Sequence, residues 1–252
     1  MVKKKLINKN VVGLIPVRLN SSRLFRKAIL EIDNLPMVIH TYKRAKLSKK
    51  LKEVFICTDS NEIINIAKKY KCKFIKTTAS LTGTDRISKA ADKIKENYDL
   101  YIDIQGDEPL VDPKHIDKVI EWHSKNMDFD IVVPSLRSKN IDTPHIVKIV
   151  KSKKRILYFS RSLVPNPFRK KNKYYLKHLS VISFKPESLK QFKYLKQSAL
   201  EKTEGIELMR ALENEMKIGT FNLSGSSFSV DTKDDFLKAI KFMDFDKIRA
   251  KY

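Results

Sequence analysis

The segment at residues 15–27 (IPVRLNSSRLFRK) carries four cations, and the spacing of three of them suits an anionic ligand. It directly follows an apolar run, and open α/β sheets bind their ligands at the carboxyl ends of such strands. Arg18, Arg23 and Lys27 are therefore placed to surround a triphosphate, with hydroxyl and backbone N–H groups as further donors. Taken alone, the segment is equally typical of an ordinary basic loop.

A second segment, residues 103–113 (DIQGDEPLVDP), brings acids to the end of another apolar run. Gly106 permits a tight turn there, which leaves Asp107 well placed to hold Mg²⁺ against phosphates. Mg²⁺ usually takes only one or two protein carboxylates beside water and phosphate oxygens. A solvated acidic turn fits the same residues.

A third segment, residues 227–236 (SFSVDTKDDF), offers another carboxylate. Thr232 and Asp235 have capping-box spacing at the start of a helical pattern, so Asp231 is not needed as the cap. Asp231 is therefore a candidate for a second metal carboxylate, although this segment alone is a weak signal.

The chain is strongly basic, with a formal net charge of +23 over 252 residues. Lysine supplies 41 of the 52 basic residues and is spread along nearly every segment. Direct reading of bases favours arginine, and the sequence contains no nucleic-acid-binding motif, so we expect no specific nucleic-acid partner. The charge can still steer an anionic substrate.

Cysteine content and hydropathy predict the compartment. Cys57 and Cys72 make neither a disulfide framework nor a zinc motif, which is typical of a reducing cytosol. No stretch approaches the roughly 18 consecutive apolar residues of a membrane span. We therefore expect a cytoplasmic protein without a membrane span.

The apolar patterning predicts the sheet that must position these segments. Short β-rich runs alternate with helical patterns in the first half, which predicts an α/β fold with a mostly parallel twisted sheet flanked by helices. From about residue 146, strand-like runs predict a smaller mixed-sheet insertion. Predicted strands cover residues 11–17, 53–59, 72–76, 100–105, 131–136, 146–150, 156–160, 178–184 and 217–223. Predicted helices start at Pro36, after Ser60, after Gly83 and at Pro113, and cover residues 186–196, 203–214 and 232–243.

Taken together and in this order, the segments resemble the CMP-Kdo synthetases, or 3-deoxy-manno-octulosonate cytidylyltransferases. The family's I-P-A-R-x-x-S-x-R-L-P-G-K stretch corresponds to residues 15–27, and its Q-G-D-E-P is unchanged at residues 105–109. Its V-D-T-P-E-D corresponds to VDTKDD at residues 230–235. Further matches are NLPMVIHTYKRA, CTD, TGTDR, HIVKIV, ILYFSR, HLSVISF and LEKTEGIELMRALE, so the resemblance covers almost the whole chain.

The resemblance implies a nucleotide-sugar-transferase, Rossmann-like fold and a reaction in which CTP gives CMP to a 2-keto-3-deoxy sugar acid, with Mg²⁺ as cofactor. The catalytic residues that it implies are Lys27, Asp107 and Asp231, of which Asp107 and Asp231 are the metal ligands. The implied CTP contacts are Arg18, Arg23, Lys27, Gly83 and Arg86. The implied sugar-acid contacts are Gln105, Arg161, His178, Glu204 and Glu207. Arg161 is the expected partner of the sugar carboxylate, because a guanidinium pairs with a carboxylate through two parallel hydrogen bonds.

The resemblance also implies a homodimer. We expect a single domain over residues 1–252, with a nucleotide-binding part at about 1–137 and 203–252. The part at about 138–202 is expected to bind the sugar and form the dimer.

The sequence departs from the family at two places. Phe25 and Arg26 replace a Pro-Gly pair, so a backbone that needs positive φ would be strained at Arg26. On the sugar side, a Gly, two Tyr and a Gln are replaced by Ser180, Ile182, Phe184 and Leu208. Strand alternation puts residues 178, 180, 182 and 184 on one face, which predicts altered or relaxed sugar selectivity. An amino-Kdo or sialic-type acid as substrate, and a catalytically inactive CTP-binding homologue, are the alternatives.

Overall fold

Strands and helices alternate along the first half of the chain in the computed structural model, which describes residues 9–21, 23–139 and 141–252. The strands are β1 (Val11–Pro16), β2 (Glu31–Ile32), β3 (Leu35–Pro36), β4 (Glu53–Thr58), β5 (Phe74–Lys76), β6 (Leu100–Ile104), β7 (Ile131–Val132), β8 (Ser135–Ser138), β9 (Lys148–Ser152), β10 (Arg155–Ser160), β11 (Tyr175–His178), β12 (Val181–Phe184), β13 (Ile218–Gly219) and β14 (Asn222–Leu223). The helices are α1 (Met37–Lys46), α2 (Asn61–Lys69), α3 (Gly83–Ala91), α4 (Pro113–Lys125), α5 (Pro186–Tyr194), α6 (Ala199–Glu204), α7 (Leu208–Glu213) and α8 (Lys233–Asp244). Single turns of 3-10 helix lie at Lys27–Ile29 and Arg249–Lys251.

Four parallel strands in the order β5-β4-β1-β6 form one side of the main sheet. Helices cover both faces of this block: Val11 and Ile15 pack in the core under α1, α2 and α4, whereas Val12 and Leu14 pack with residues of α3 and α5. Burial on both faces explains why these strands are continuous apolar runs instead of alternating ones. Since the strands are parallel, residues 15–27 and 103–113 leave the sheet at the same edge.

The second half of the chain extends this same sheet. Strand β12 lies antiparallel between β6 and β7, and the sheet continues through β13, β10, β9, β11 and β8 to β14, twelve strands in all among the described residues. The predicted insertion is therefore mixed, as expected, but its strands belong to the main sheet and do not form a sheet of their own. Strands β2 and β3 form a separate hairpin.

Four predicted elements are interrupted in the structure, one of which is the strand expected at residues 217–223, which divides into β13 and β14. The strand expected at residues 131–136 divides at Pro134, which has no N–H to donate to a ladder, into β7 and β8. The helix expected at residues 203–214 divides into α6 and α7 because Gly205 adopts a left-handed conformation with φ 62°. The strand expected at residues 178–184 divides into β11, which pairs with β8, and β12, which pairs with β6.

Helix starts agree well with the sequence prediction. The Ser60 side chain accepts from Ile63 N at the start of α2, and Pro113 is the first residue of α4 after an Asp112 cap. Thr232 and Asp235 form the expected capping box at the start of α8. In the part of the chain that the structure describes, no helix has the length and apolar character needed to cross a bilayer.

Candidate active site

A cavity of about 540 Å³ opens where β1 and β6 end. Eleven of the twelve predicted site residues line this one cavity, although they come from segments throughout the chain: Arg18, Arg23, Lys27, Gly83, Arg86, Gln105, Asp107, Arg161, His178, Glu207 and Asp231. The remaining one, Glu204, does not line the cavity. Their placement together is a finding of the structure, whereas their individual roles stay predictions.

The two predicted metal carboxylates are joined by one lysine. Lys27 Nζ lies 2.6 Å from Asp107 Oδ2 and 3.0 Å from Asp231 Oδ1, and it donates to the backbone oxygen of Val230 at 2.9 Å. Burial alone would lower the pKa of Lys27, but the two carboxylates outweigh it and raise that pKa above its usual value. A single cation therefore already contacts both acids, so the acids can converge on one positive charge.

This donor set fits a Mg²⁺ ion. The described residues contain no group of three or more histidine, cysteine or acidic side chains with metal-binding geometry, so the site offers two carboxylates and leaves the other positions to water or phosphate. That composition suits Mg²⁺, which binds few protein ligands and retains water and phosphate oxygens. Arg23 Nη2 also contacts Asp231 Oδ1 at 2.8 Å, so a second phosphate-binding candidate lies at the same acid.

The loop that presents Lys27 has the strained backbone that the sequence predicts. Arg26 adopts a left-handed conformation, with φ 53° and ψ 30°, where the resembling family has glycine. Its guanidinium pairs with Glu62 in the first turn of α2 and does not line the cavity. Phe25 is 73% exposed. Ser22, within this loop, lies outside the described residues.

The N-terminus of α3 forms the part of the cavity that was predicted to contact the nucleotide. A Cβ atom on Gly83 would come within 3.2 Å of Gln105 Nε2, so the close approach of the helix to this amide favours glycine. Arg86 is buried and contacts Asp59 at 3.0 Å and Thr77 Oγ1 at 2.9 Å. Its ion pair therefore ties the TGTDR segment to the end of β4, as expected for a rigid pocket wall.

Gln105 is anchored by an acid that the sequence analysis did not single out. Its Nε2 lies 3.0 Å from each carboxylate oxygen of Asp103, which is fully buried on β6. Burial raises the pKa of Asp103 well above its usual value, and the nearby charge of Glu207 raises it further. The sequence does contain a sign of this contact, because an aspartate inside the apolar run LYIDIQ requires a buried hydrogen-bond partner.

Glu207, a predicted sugar-acid contact, bonds to the segment that was predicted to contact the nucleotide. Its carboxylate accepts from Thr84 N at 3.1 Å and from Thr84 Oγ1 at 2.8 Å, at the N-terminus of α3. Burial raises the pKa of Glu207, while hydrogen bonds from Thr82 and Thr84 oppose that rise. A carboxylate at a helix N-terminus also gains from the helix dipole.

Arg161 is held mainly by backbone carbonyl groups. Its Nε donates to Glu204 O at 2.7 Å, Nη1 to Pro144 O at 2.7 Å and Nη2 to Gly205 O at 3.0 Å. Since a guanidinium has five N–H groups, two are left for the predicted sugar carboxylate. Glu204 supports this arrangement from behind, because it accepts from Arg161 N at 2.8 Å and from Ser160 Oγ at 2.9 Å.

His178 is a neutral ring in the cavity wall. It packs edge-on against Phe159 with ring centroids 5.8 Å apart. Burial, followed by the charges of Lys177 and Arg161, lowers the pKa of His178 to about 4. It can therefore exchange hydrogen bonds with sugar hydroxyls at neutral pH without carrying charge.

The altered sugar-side residues divide into two groups. Ser180, Ile182 and Leu208 line the cavity, whereas Phe184 is fully buried in the core and does not. The expectation that residues 178, 180, 182 and 184 share one face of a single strand is wrong, because β11 ends at His178 and β12 begins at Val181. Ser180 also hydrogen-bonds to Glu108, a buried acid whose pKa is raised to about 7 by burial and then by Asp107.

The sequence of the chain matches a known class of enzyme. Residues 12–218 match the family model described as cytidylyltransferase, which makes the chain an enzyme of that class. A 3-deoxy-manno-octulosonate cytidylyltransferase of Rickettsia typhi (strain ATCC VR-144 / Wilmington) is 39% identical over 93% of this chain and 98% of its own length. The enzyme of the same name from Rickettsia prowazekii (strain Madrid E) is 37% identical over 93% of this chain and 96% of its own.

A solved structure gives the same result. A CMP:2-keto-3-deoxy-manno-octonic acid synthetase in complex with CTP superimposes with a TM-score of 0.88 and 29% identity, over 94% of this chain and 99% of the other. The chain therefore belongs to the 3-deoxy-manno-octulosonate cytidylyltransferase family. The predicted family and the predicted fold class are confirmed. A cytidylyltransferase of Leptospira borgpetersenii serovar Hardjo-bovis (strain JB197), at 16% identity and a TM-score of 0.63 over 94% of this chain and 88% of its own, shares the fold.

Proposed function

We propose that the protein transfers CMP from CTP to the anomeric hydroxyl of 3-deoxy-manno-octulosonate (Kdo) or a close relative, releases pyrophosphate and depends on Mg²⁺. The observation that carries this proposal is the convergence of Lys27 on Asp107 and Asp231 in a cavity that also contains Arg161, His178 and Glu207. One end of the cavity suits a metal-bound triphosphate and the other suits a polyhydroxylated acid.

In the proposed reaction the anomeric oxygen bonds to the α-phosphorus, the bond from that phosphorus to the pyrophosphate oxygen breaks, and the hydroxyl proton passes to solvent water. Mg²⁺ bound by Asp107 and Asp231 would offset the charge that develops on the phosphoryl oxygens. Arg18, Arg23 and Lys27 bind the phosphates and stabilise the departing pyrophosphate. The reaction needs no covalent intermediate with the protein.

Nucleotide choice is assigned to the α3 side. We propose that Gly83 and the TGTDR segment contact the cytosine and ribose, while Arg86 fixes the wall through Asp59. A rigid pocket whose polar groups match cytosine would reject a base that leaves them unpaired. CTP should accordingly be strongly preferred over UTP, ATP and GTP.

The sugar acid is assigned to the adjoining part of the cavity, which borders the N-terminus of α3 at Gln105 and Glu207. Gln105, whose Nε2 is committed to Asp103, presents its carbonyl oxygen as an acceptor for a hydroxyl. Arg161 has two N–H groups for the carboxylate, and His178 and Glu207 are available to hydroxyls. Glu204 acts on the sugar only through Arg161, because it does not line the cavity.

The test is pyrophosphate release from each of the four nucleoside triphosphates with Kdo, an amino-Kdo and a sialic-type acid. We expect turnover with CTP, a requirement for Mg²⁺, and loss of turnover in Asp107→Asn. Equal rates with ATP and CTP would contradict the nucleotide assignment. Binding of Mg·CTP without turnover of any of the sugar acids would favour the catalytically inactive CTP-binding homologue.

A second candidate substrate is an amino-Kdo or sialic-type acid. It is favoured by Ser180, Ile182 and Leu208, which line the cavity where the resembling family has Gly, Tyr and Gln. These replacements remove a phenol and an amide that could pair with sugar hydroxyls. The same assay decides between the acids through their values of kcat/KM.

We also propose a homodimer in the cytoplasm. The part at 138–202 exposes apolar side chains, among them Leu157 at 53% and Phe168 at 90% exposure, which would gain from burial by a second copy. Cys57 and Cys72 are free thiols, which suits a reducing compartment. Sedimentation should give twice the mass of the chain, and Leu157→Lys should lower it.

A further inference from the structure

Lys148 at the start of β9 is a lysine with no exposed surface, and it is the largest fully buried side chain among the described residues. Its Nζ donates to Thr143 O at 2.6 Å and to Arg161 O at 2.6 Å. No carboxylate of the described residues lies within ion-pair distance of it. The charges of Asp142 and Glu204 act on it from beyond ion-pair distance. A buried ammonium with no direct ion pair is costly, which indicates that this lysine has a role other than packing.

The contacts of Lys148 connect three segments. Its backbone pairs with Ser160 at the end of β10 and with Lys177 in β11. Its ammonium group joins the end of β10 to Thr143, which lies five residues before Lys148 in the chain. A methionine of similar volume would fill the same space but could not hold two carbonyl oxygens.

Arg161 holds the same segment from the other side. Its Nη1 donates to Pro144 O, while its Nε and Nη2 fix the turn at Glu204 and Gly205 between α6 and α7. Lys148 and Arg161 therefore clamp two consecutive carbonyl groups, those of Thr143 and Pro144. The residues that follow them, His145, Ile146 and Val147, line the cavity.

We propose that Lys148 is a positioning residue for the sugar-acid side of the cavity. It fixes the position of residues 143–147 and, through Arg161, the position of the α6–α7 turn. This wall of the cavity is thereby spaced to fit the sugar acid. The proposal rests on the proposed function, because it assigns this wall to the sugar acid. Among the described residues, Lys148 Nζ donates no hydrogen bond to β1, β6 or α3, which build the proposed nucleotide side.

The test compares Lys148→Met and Lys148→Gln with the wild type in steady-state pyrophosphate release, with the sugar acid and CTP varied separately. We expect KM for the sugar acid to rise by roughly tenfold or more in Lys148→Met, with KM for CTP unchanged and a smaller change in kcat. Lys148→Gln keeps donors for the carbonyl groups. It should also raise KM for the sugar acid without changing KM for CTP, but by a smaller factor. Lys151→Met is the matched control and should behave as wild type, because Lys151 lies on the same strand but is only half-buried, whereas Lys148 is buried and holds the two carbonyl groups.

Binding of Mg·CTP, measured by calorimetry, separates this effect from unfolding and should be unchanged in all the variants. If Lys148→Met fails to fold, Lys148→Gln carries the test. An equal rise of both KM values, or no change in the KM of the sugar acid, would overturn the proposal. Absence of turnover by the wild type with every sugar acid would refute the proposed function instead.

Discussion

The backbone at Arg26 gives a sharp prediction about stability. Arg26 has φ 53° and ψ 30° immediately before Lys27, and its side chain pairs with Glu62 at the start of α2. We compare Arg26→Gly with Arg26→Ala, because both variants lose the ion pair. Their difference therefore isolates the backbone conformation from the side-chain contact.

The magnitude follows from two opposing effects. A left-handed conformation costs a residue with a Cβ atom about 1–2 kcal/mol, which glycine does not incur. Glycine loses more backbone entropy on folding, at about 0.5–1 kcal/mol. The ion pair, with side chains 37% and 43% exposed, contributes little and cancels in the comparison. The free energy of unfolding should therefore be about 0.5–1 kcal/mol higher for Arg26→Gly than for Arg26→Ala. Each kcal/mol corresponds to a rise in Tm of roughly 2–4 °C.

The assay is thermal unfolding by calorimetry, supported by urea titration of both variants. Asn65 provides the matched control, since it is exposed in the middle of the right-handed helix α2. There the order should reverse, with Asn65→Ala more stable than Asn65→Gly by about 1 kcal/mol. If Arg26→Ala proved as stable as Arg26→Gly while the control reversed as expected, the left-handed conformation at Arg26 would be wrong.

Three further predictions concern the metal, the pH and the sugar. Asp231→Asn should lower turnover by orders of magnitude and raise the Mg²⁺ requirement, whereas the exposed Asp234→Asn should not; near-normal turnover at limiting Mg²⁺ would remove Asp231 from the metal site. Burial lowers the pKa of His123 to about 4, so the folded state binds fewer protons than the unfolded state between about pH 4 and 6.5. The stabilisation that results from this lowered pKa is complete above pH 6.5 and is lost as the pH falls, by about 3 kcal/mol in all. The free energy of unfolding in urea should therefore depend less on pH over that range in His123→Gln than in the wild type. Ile182→Tyr should raise kcat/KM for Kdo relative to sialic-type acids, and efficient, exclusive use of Kdo by the wild type would disprove relaxed selectivity.

Much of the nucleotide side could be predicted from the sequence because its information is local. The apolar runs of β1, β4 and β6 identify buried parallel strands, and caps such as Ser60 and Thr232 mark helix starts within one residue. Chemistry-bearing residues follow those strand ends directly. Their convergence in one cavity follows from parallel pairing, which brings carboxyl ends to one edge.

The sugar side was harder to predict because its contacts are non-local. Arg161 is held by carbonyl groups from residues 144, 204 and 205, which no sequence pattern reveals. Any residue type can supply a backbone carbonyl group, so the sequence does not reveal the hydrogen-bond acceptors of Lys148 either. The division of residues 178–184 into two strands depends on which neighbour each half pairs with, a matter of tertiary contact and not of propensity.

The continuous ladder of the main sheet has a consequence for attempts to dissect the protein. Strand β12 supplies the antiparallel neighbour of β6, so a fragment that stops near residue 137 would leave β6 as a bare edge. An apolar strand with unpaired N–H and C=O groups is a template for intermolecular pairing. The two proposed functional parts are therefore not separable modules, and domain-swapping or split-enzyme designs should cut within surface loops that leave both partners of this pair in one fragment.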